Sequence, residues 1–131
     1  MKRPIIFVAS ALLAFGATAL AYGQHSHEHA KGEAKTVTLT GEIIDLTCFM
    51  QHPDNSLGME HAKCAKSCIN KGLPIGFLRE DGTVYLLMGD GHESIASTVA
   101  DIAGKKVKID GVVVDHHGVK AIQLVSVAAA K

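Results

Sequence analysis

The sequence predicts a small, mainly β domain: five strands, a helix between the third and fourth, and a helical insertion after the first. Three observations predict it. Short runs rich in β-branched residues recur between residues 36 and 127, several with clear period-two alternation. Glu80-Asp81-Gly82 and Asp115-His116-His117-Gly118 are turn signals at hairpin spacing between such runs. Only two stretches of the domain, Glu60 to Lys71 and Glu93 to Ala103, combine helix formers with a terminating glycine, Gly72 and Gly104.

The elements follow in order. Thr36 to Leu46 starts with strict alternation and reads as the first strand, with Gly41 where a bulge or sharp coil would sit. Cys48 arrives at the end of this apolar run. Phe49 to Met59 holds Pro53, Asn55 and Gly58 and reads as a loop leading into the helix at Glu60. Pro74 follows that helix, a second stop signal after Gly72. Pro74 to Leu78 and Thr83 to Met88 are the second and third strands. The second helix carries Ile95, Val99 and Ile102 at i, i+4 and i+7, one apolar face. Lys105 to Val114 alternates Val107, Ile109 and Gly111 against Lys106, Lys108 and Asp110, and Val119 to Val127 closes the series.

The first 21 residues read as a signal peptide. Lys2 and Arg3 form a basic start, Pro4 to Leu20 is uncharged and apolar, and Ala19-Leu20-Ala21 supplies small residues at a cleavage site. Cleavage leaves 110 of the 131 residues, enough for one core. It removes two cations and no acids, so 11 Lys and Arg face 13 Asp and Glu, a net charge of −2. That balance and the absence of Trp exclude a nucleic-acid footprint, and nothing predicts stable membrane association once the signal is gone. Residues 22–35 form a polar tail with His25, His27 and His29 at alternate positions. It reads either as a spacer or as a weak chelator of divalent ions. Residues 36–131 form the domain.

Five strands with a helix between the third and fourth is the order of an oligonucleotide/oligosaccharide-binding (OB) barrel. Gly41-Glu-Ile-Ile-Asp45 resembles the first strand of small bacterial periplasmic OB-fold proteins of uncharacterised function. Gly104-Lys-Lys-Val-Lys-Ile-Asp-Gly-Val-Val-Val114 and the hairpin after it resemble their end. The insertion from Cys48 to Cys68, followed by Gly72-Leu-Pro-Ile-Gly76, resembles uncharacterised members of that group. The resemblance implies a five-stranded OB-type barrel and a periplasmic or secreted location, and it implies no reaction. In such barrels the loops after strands one and four carry ligands, which would bring the Cys48 to Lys71 segment near His116 and His117.

The chemistry is concentrated in one segment. All three cysteines and two histidines, His52 and His61, fall between residues 48 and 68. On a helix His61, Cys64 and Cys68 stand at i, i+3 and i+7 and share a face. Three thiolates and an imidazole suit a soft or borderline metal: zinc in a Cys3His shell of Cys48, His61, Cys64 and Cys68, or copper(I) held by two or three of the sulfurs. His52, Met50 and Met59 are further candidate ligands, and His25, His27, His29, His116 and His117 weaker ones. C-x3-C on a helix also occurs in copper sites of the Sco and binuclear oxidase types, although there a histidine lies downstream of the pair. Zinc fingers prefer C-x2-C.

Two rival readings stand beside the metal. In an oxidising compartment Cys48 and either partner form a disulfide, stapling the insertion to a binding module for a small molecule, glycan or envelope protein. Three is an odd number, so one thiol remains in that case. A thiol oxidoreductase would need a depressed thiol pKa, for which C-x-x-C at a helix N-terminus is the usual arrangement. C-x-x-C-H for haem attachment is absent, as is a glycine-rich phosphate loop. No pair of carboxylates or nucleophile–base pattern argues for catalysis. The expectation is an exported metal-binding protein whose partner is a copper or zinc ion.

Overall fold

The computed structural model describes residues 35–130. The expected signal peptide and the tail with His25, His27 and His29 lie outside the described residues. The elements are β1 (Thr36–Asp45), α1 (Leu46–Gln51), a 3-10 turn (Pro53–Asn55), α2 (Gly58–Asn70), β2 (Ile75–Arg79), β3 (Val84–Met88), α3 (Ala96–Val99) running into a second 3-10 turn (Ala100–Ile102), β4 (Lys106–His116) and β5 (Val119–Ala129). The fold is mainly β, as expected.

The strands lie in the order β1-β2-β3-β5-β4, and β4 returns to pair with β1, so the sheet closes on itself. All neighbours are antiparallel except β3 and β5, which run parallel. Closure depends on β1 serving two partners. Thr36 to Glu42 pairs with β4, while Gly41 to Asp45 pairs with β2. Gly41 belongs to both ladders. A Cβ there would overlap the Leu78 carbonyl oxygen and the Phe77 ring, so the position requires glycine because the backbones approach so closely. It is a point of strand coiling and not a bulge. The register irregularity falls instead between Asp110 and Gly111 of β4.

Buried residues alternate along β4, as period-two patterning requires, while the end of β1 and the start of β2 are buried on both faces. Ile43, Phe77, Val107, Ile109 and Ile122 are fully or almost fully buried. Ala65 and Ile69 of α2, one turn apart, and Val99 of α3 join them in one core. Loss of the Phe77 ring from such a site costs about 3–5 kcal/mol in general.

Two helical segments differ from expectation. Leu46 to Gln51 is not a continuation of the strand into a loop: it turns into α1, because the Asp45 side chain caps it by accepting from the Cys48 backbone N–H at 2.8 Å. The second helix is shorter than Glu93 to Ala103, beginning only at Ala96. The Glu93 carbonyl packs against the Gly89 backbone too closely for a Cβ, and the Ala96 N–H is taken by Ser94 Oγ at 3.3 Å.

The connection from β1 to β2 is tied down at both ends. At the start of α2, Glu42 Oε1 accepts from the Gly58 N–H at 2.6 Å. Gly104 lies directly under that turn, with φ +74° and its own N–H on the Ile43 carbonyl at 2.8 Å. At the other end Gly72 donates to Ile69 O (2.9 Å) and Leu73 to Cys68 O (3.1 Å), the paired bonds of a Schellman motif. The chain then returns to the sheet beside its exit point, Leu46 N–H bonding Pro74 O at 2.9 Å. Both ends of the cysteine-bearing segment are therefore fixed against the sheet.

Candidate metal centre

Cys48 is set by α1. Asp45 ends β1 in the sheet, and its hydrogen bond to the Cys48 N–H holds that residue in the first turn of the helix. Cys64 and Cys68 are set by α2, four residues apart and so one above the other. Ala65 and Ile69, each one residue on, face the core and fix the helix rotation. On the far side Lys66 pairs with Asp101.

The two helices bring the thiols together. Cys48 Sγ lies 4.0 Å from both Cys64 Sγ and Cys68 Sγ. All three sulfurs lie within 4.8 Å of one another, and all three cysteines are free. Cys48 and Cys68 are half-buried and Cys64 is exposed, so the cluster opens to solvent on the Cys64 side. Such a group can hold a metal ion.

A second group shares Cys48. Asp45, Cys48 and His61 also have ligand atoms within 4.8 Å of one another. His61 Nε2 lies 3.3 Å from Asp45 Oδ2, and Asp45 is fully buried. One carboxylate thus serves both the Cys48 backbone and the His61 ring. Of the four residues expected to form a single Cys3His shell, the three cysteines therefore form one triad, while His61 joins Asp45 and Cys48 in a second that shares Cys48.

Electrostatics sharpen the picture. Burial, reinforced by the Asp45 carboxylate, pushes the Cys48 thiol from 9.0 up to about 12. Burial and the same carboxylate also raise Cys68. Both are neutral thiols at neutral pH, so a metal that binds them as thiolates must displace protons.

Asp45 is the residue that sequence reasoning missed. An acid just before a short segment of new periodicity is an N-cap signal, and it could have been found three residues ahead of Cys48. The remaining candidates do not gather here. His52 is exposed and belongs to neither triad. Nor do His116 and His117 belong to one; their rings pack edge to face at 4.3 Å in the β4–β5 turn. Met50 and Met59 are largely exposed. No family model, no curated protein and no solved structure matches this chain.

Proposed function

We propose that this is an exported protein that binds a soft metal ion, copper or zinc, through Cys48, Cys64 and Cys68, with His61 beside them. One observation carries the reading: three sulfurs from two separate helices converge within 4.8 Å. A core has no use for three thiols aimed at one point, and cysteine is the ligand that copper(I) and zinc share. The strand order, the parallel β3–β5 pair and the helix before β4 support an OB-type barrel as the scaffold. Signal cleavage, the periplasmic location and capture of metal by the histidine tail belong to the same proposal.

In mechanism, the ion enters from the exposed Cys64 side. Each thiol loses its proton to solvent as its sulfur bonds the metal, so affinity falls as pH drops. The raised Cys48 and Cys68 thiols count against a thiol oxidoreductase, which needs a thiolate at neutral pH. Native mass spectrometry of the mature protein from the periplasm tests the proposal. A chelator-sensitive mass increment of one metal, lost in Cys64→Ser, is expected. A protein two hydrogens light and free of metal in every preparation would overturn it in favour of a disulfide-stapled module with an envelope partner.

A further inference from the structure

Resting on the metal-binding reading above, we infer that the ion is copper(I), held in a three-coordinate, all-sulfur shell of Cys48, Cys64 and Cys68 with His61 outside it.

The number of ligands is the first argument. Structural zinc takes four protein ligands in a tetrahedron. Among the described residues, no further His, Cys, Asp or Glu donor lies within 4.8 Å of all three sulfurs. Asp45 and His61 are grouped with Cys48 only, not with Cys64 or Cys68. A site with three convergent ligands and no fourth suits an ion content with three.

The state of His61 is the second. Its Nε2 faces Asp45 Oδ2 at 3.3 Å, and the other oxygen of that carboxylate accepts from the Cys48 N–H at 2.8 Å. Asp45 is fully buried, so it has no water to replace a lost partner. With Nε2 engaged by Asp45, His61 could reach a metal only through Nδ1, and it shares a group with Cys48 but with neither Cys64 nor Cys68. Asp45 therefore acts as a positioning residue: it presents Cys48 and fixes the orientation of the His61 ring.

Spacing is compatible, and ligand number agrees. Three metal–sulfur bonds of about 2.3 Å in one plane put the sulfurs about 4.0 Å apart, against about 3.8 Å in a tetrahedron. Cys48 stands at 4.0 Å from both partners, close to either spacing. Thiolates serve both ions, but copper(I) is content with three of them, whereas structural zinc completes a tetrahedron with a fourth ligand.

The test uses the full mature protein, reduced and anaerobic, titrated with copper(I) against a chromophoric chelator and in parallel with zinc(II). X-ray absorption of each loaded form reads the shell directly. We expect one copper(I) per chain, three sulfur neighbours and no imidazole signal. His61→Ala should shift copper affinity by less than about a hundredfold, as for a group outside the shell. Cys64→Ser should lose at least about a hundredfold, since a direct ligand is gone. A tetrahedral zinc site with imidazole in the shell, or loss of stoichiometric copper binding in a folded His61→Ala protein, would overturn the inference while leaving metal binding intact. Retention of neither ion would overturn both. The absorption spectrum of the unaltered protein decides the question even if a variant does not fold.

Discussion

Asp45→Ala should be among the most damaging single changes near the centre, although the residue is neither a thiol nor an imidazole. The carboxylate is fully buried and makes two contacts, to the Cys48 N–H at 2.8 Å and to His61 Nε2 at 3.3 Å. Loss of an N-cap costs about 1 kcal/mol. Leaving the His61 ring without its partner adds about 1–2 kcal/mol, with a small void besides. The expected total is about 2–4 kcal/mol. Asp45→Asn keeps the shape and an acceptor oxygen for Cys48, so it should cost only about 1 kcal/mol through the weaker neutral bonds. It also removes the negative charge that helps to raise the Cys48 thiol, which should then titrate below about 12. Urea unfolding of the reduced, metal-free protein measures the first effect, and the pH dependence of iodoacetamide labelling at Cys48 measures the second. Asp45→Ala within about 0.5 kcal/mol of the parent, the range of an ordinary surface change, would refute the reasoning. So would a Cys48 thiol that rises in Asp45→Asn.

Gly104→Ala should destabilise by about 2–3 kcal/mol, because φ +74° is strained for alanine and the new Cβ would meet the Gly58 oxygen at 2.5 Å and Ala62 Cα at 3.0 Å. An unchanged Tm would mean that α2 does not rest on this turn. Alkaline pH should also weaken the metal-free fold. The folded Cys48 thiol holds its proton up to about 12, while the unfolded chain releases it near 9.0. The native state binds more protons between those values, so this contribution is whole below pH 9 and drains away as pH climbs toward 12. Denaturation midpoints at successive pH values, compared with those of Cys48→Ser, isolate it; identical alkaline slopes in the two proteins would contradict the assignment.

The strands were legible because their signals are local. Val, Ile and Thr alternation marks β1, β4 and β5, and the turns after Arg79 and His116 fall where glycine and polar residues predict. The helix α2 was legible from its formers and from Gly72. The features that stay hidden depend on contacts across the fold. The run Leu46-Thr-Cys-Phe-Met50 of α1 is too short to show a helical period, and the deciding cap is one Asp side chain. Spacing along α2 aligns Cys64 with Cys68, but the Cys48 distance depends on how α1 and α2 are both fixed to β1. The division into two triads could not be read from the chain, since spacing alone puts His61 on the cysteine face and cannot show a buried carboxylate claiming its ring. The expected meeting with His116 and His117 rested on topology alone, and neither residue joins the thiols or the Asp45 triad.

Both short sulfur separations end on the same atom, Cys48 Sγ. This gives the cluster an asymmetry toward oxidants that a symmetric trio would lack. Closing either gap to the roughly 2.05 Å of a disulfide consumes Cys48 together with one sulfur of α2. The survivor in each case is a single helix thiol, stranded without a neighbour to share a ligand. Disulfide formation is thus indivisible: one two-electron bond takes the centre from three donors to one.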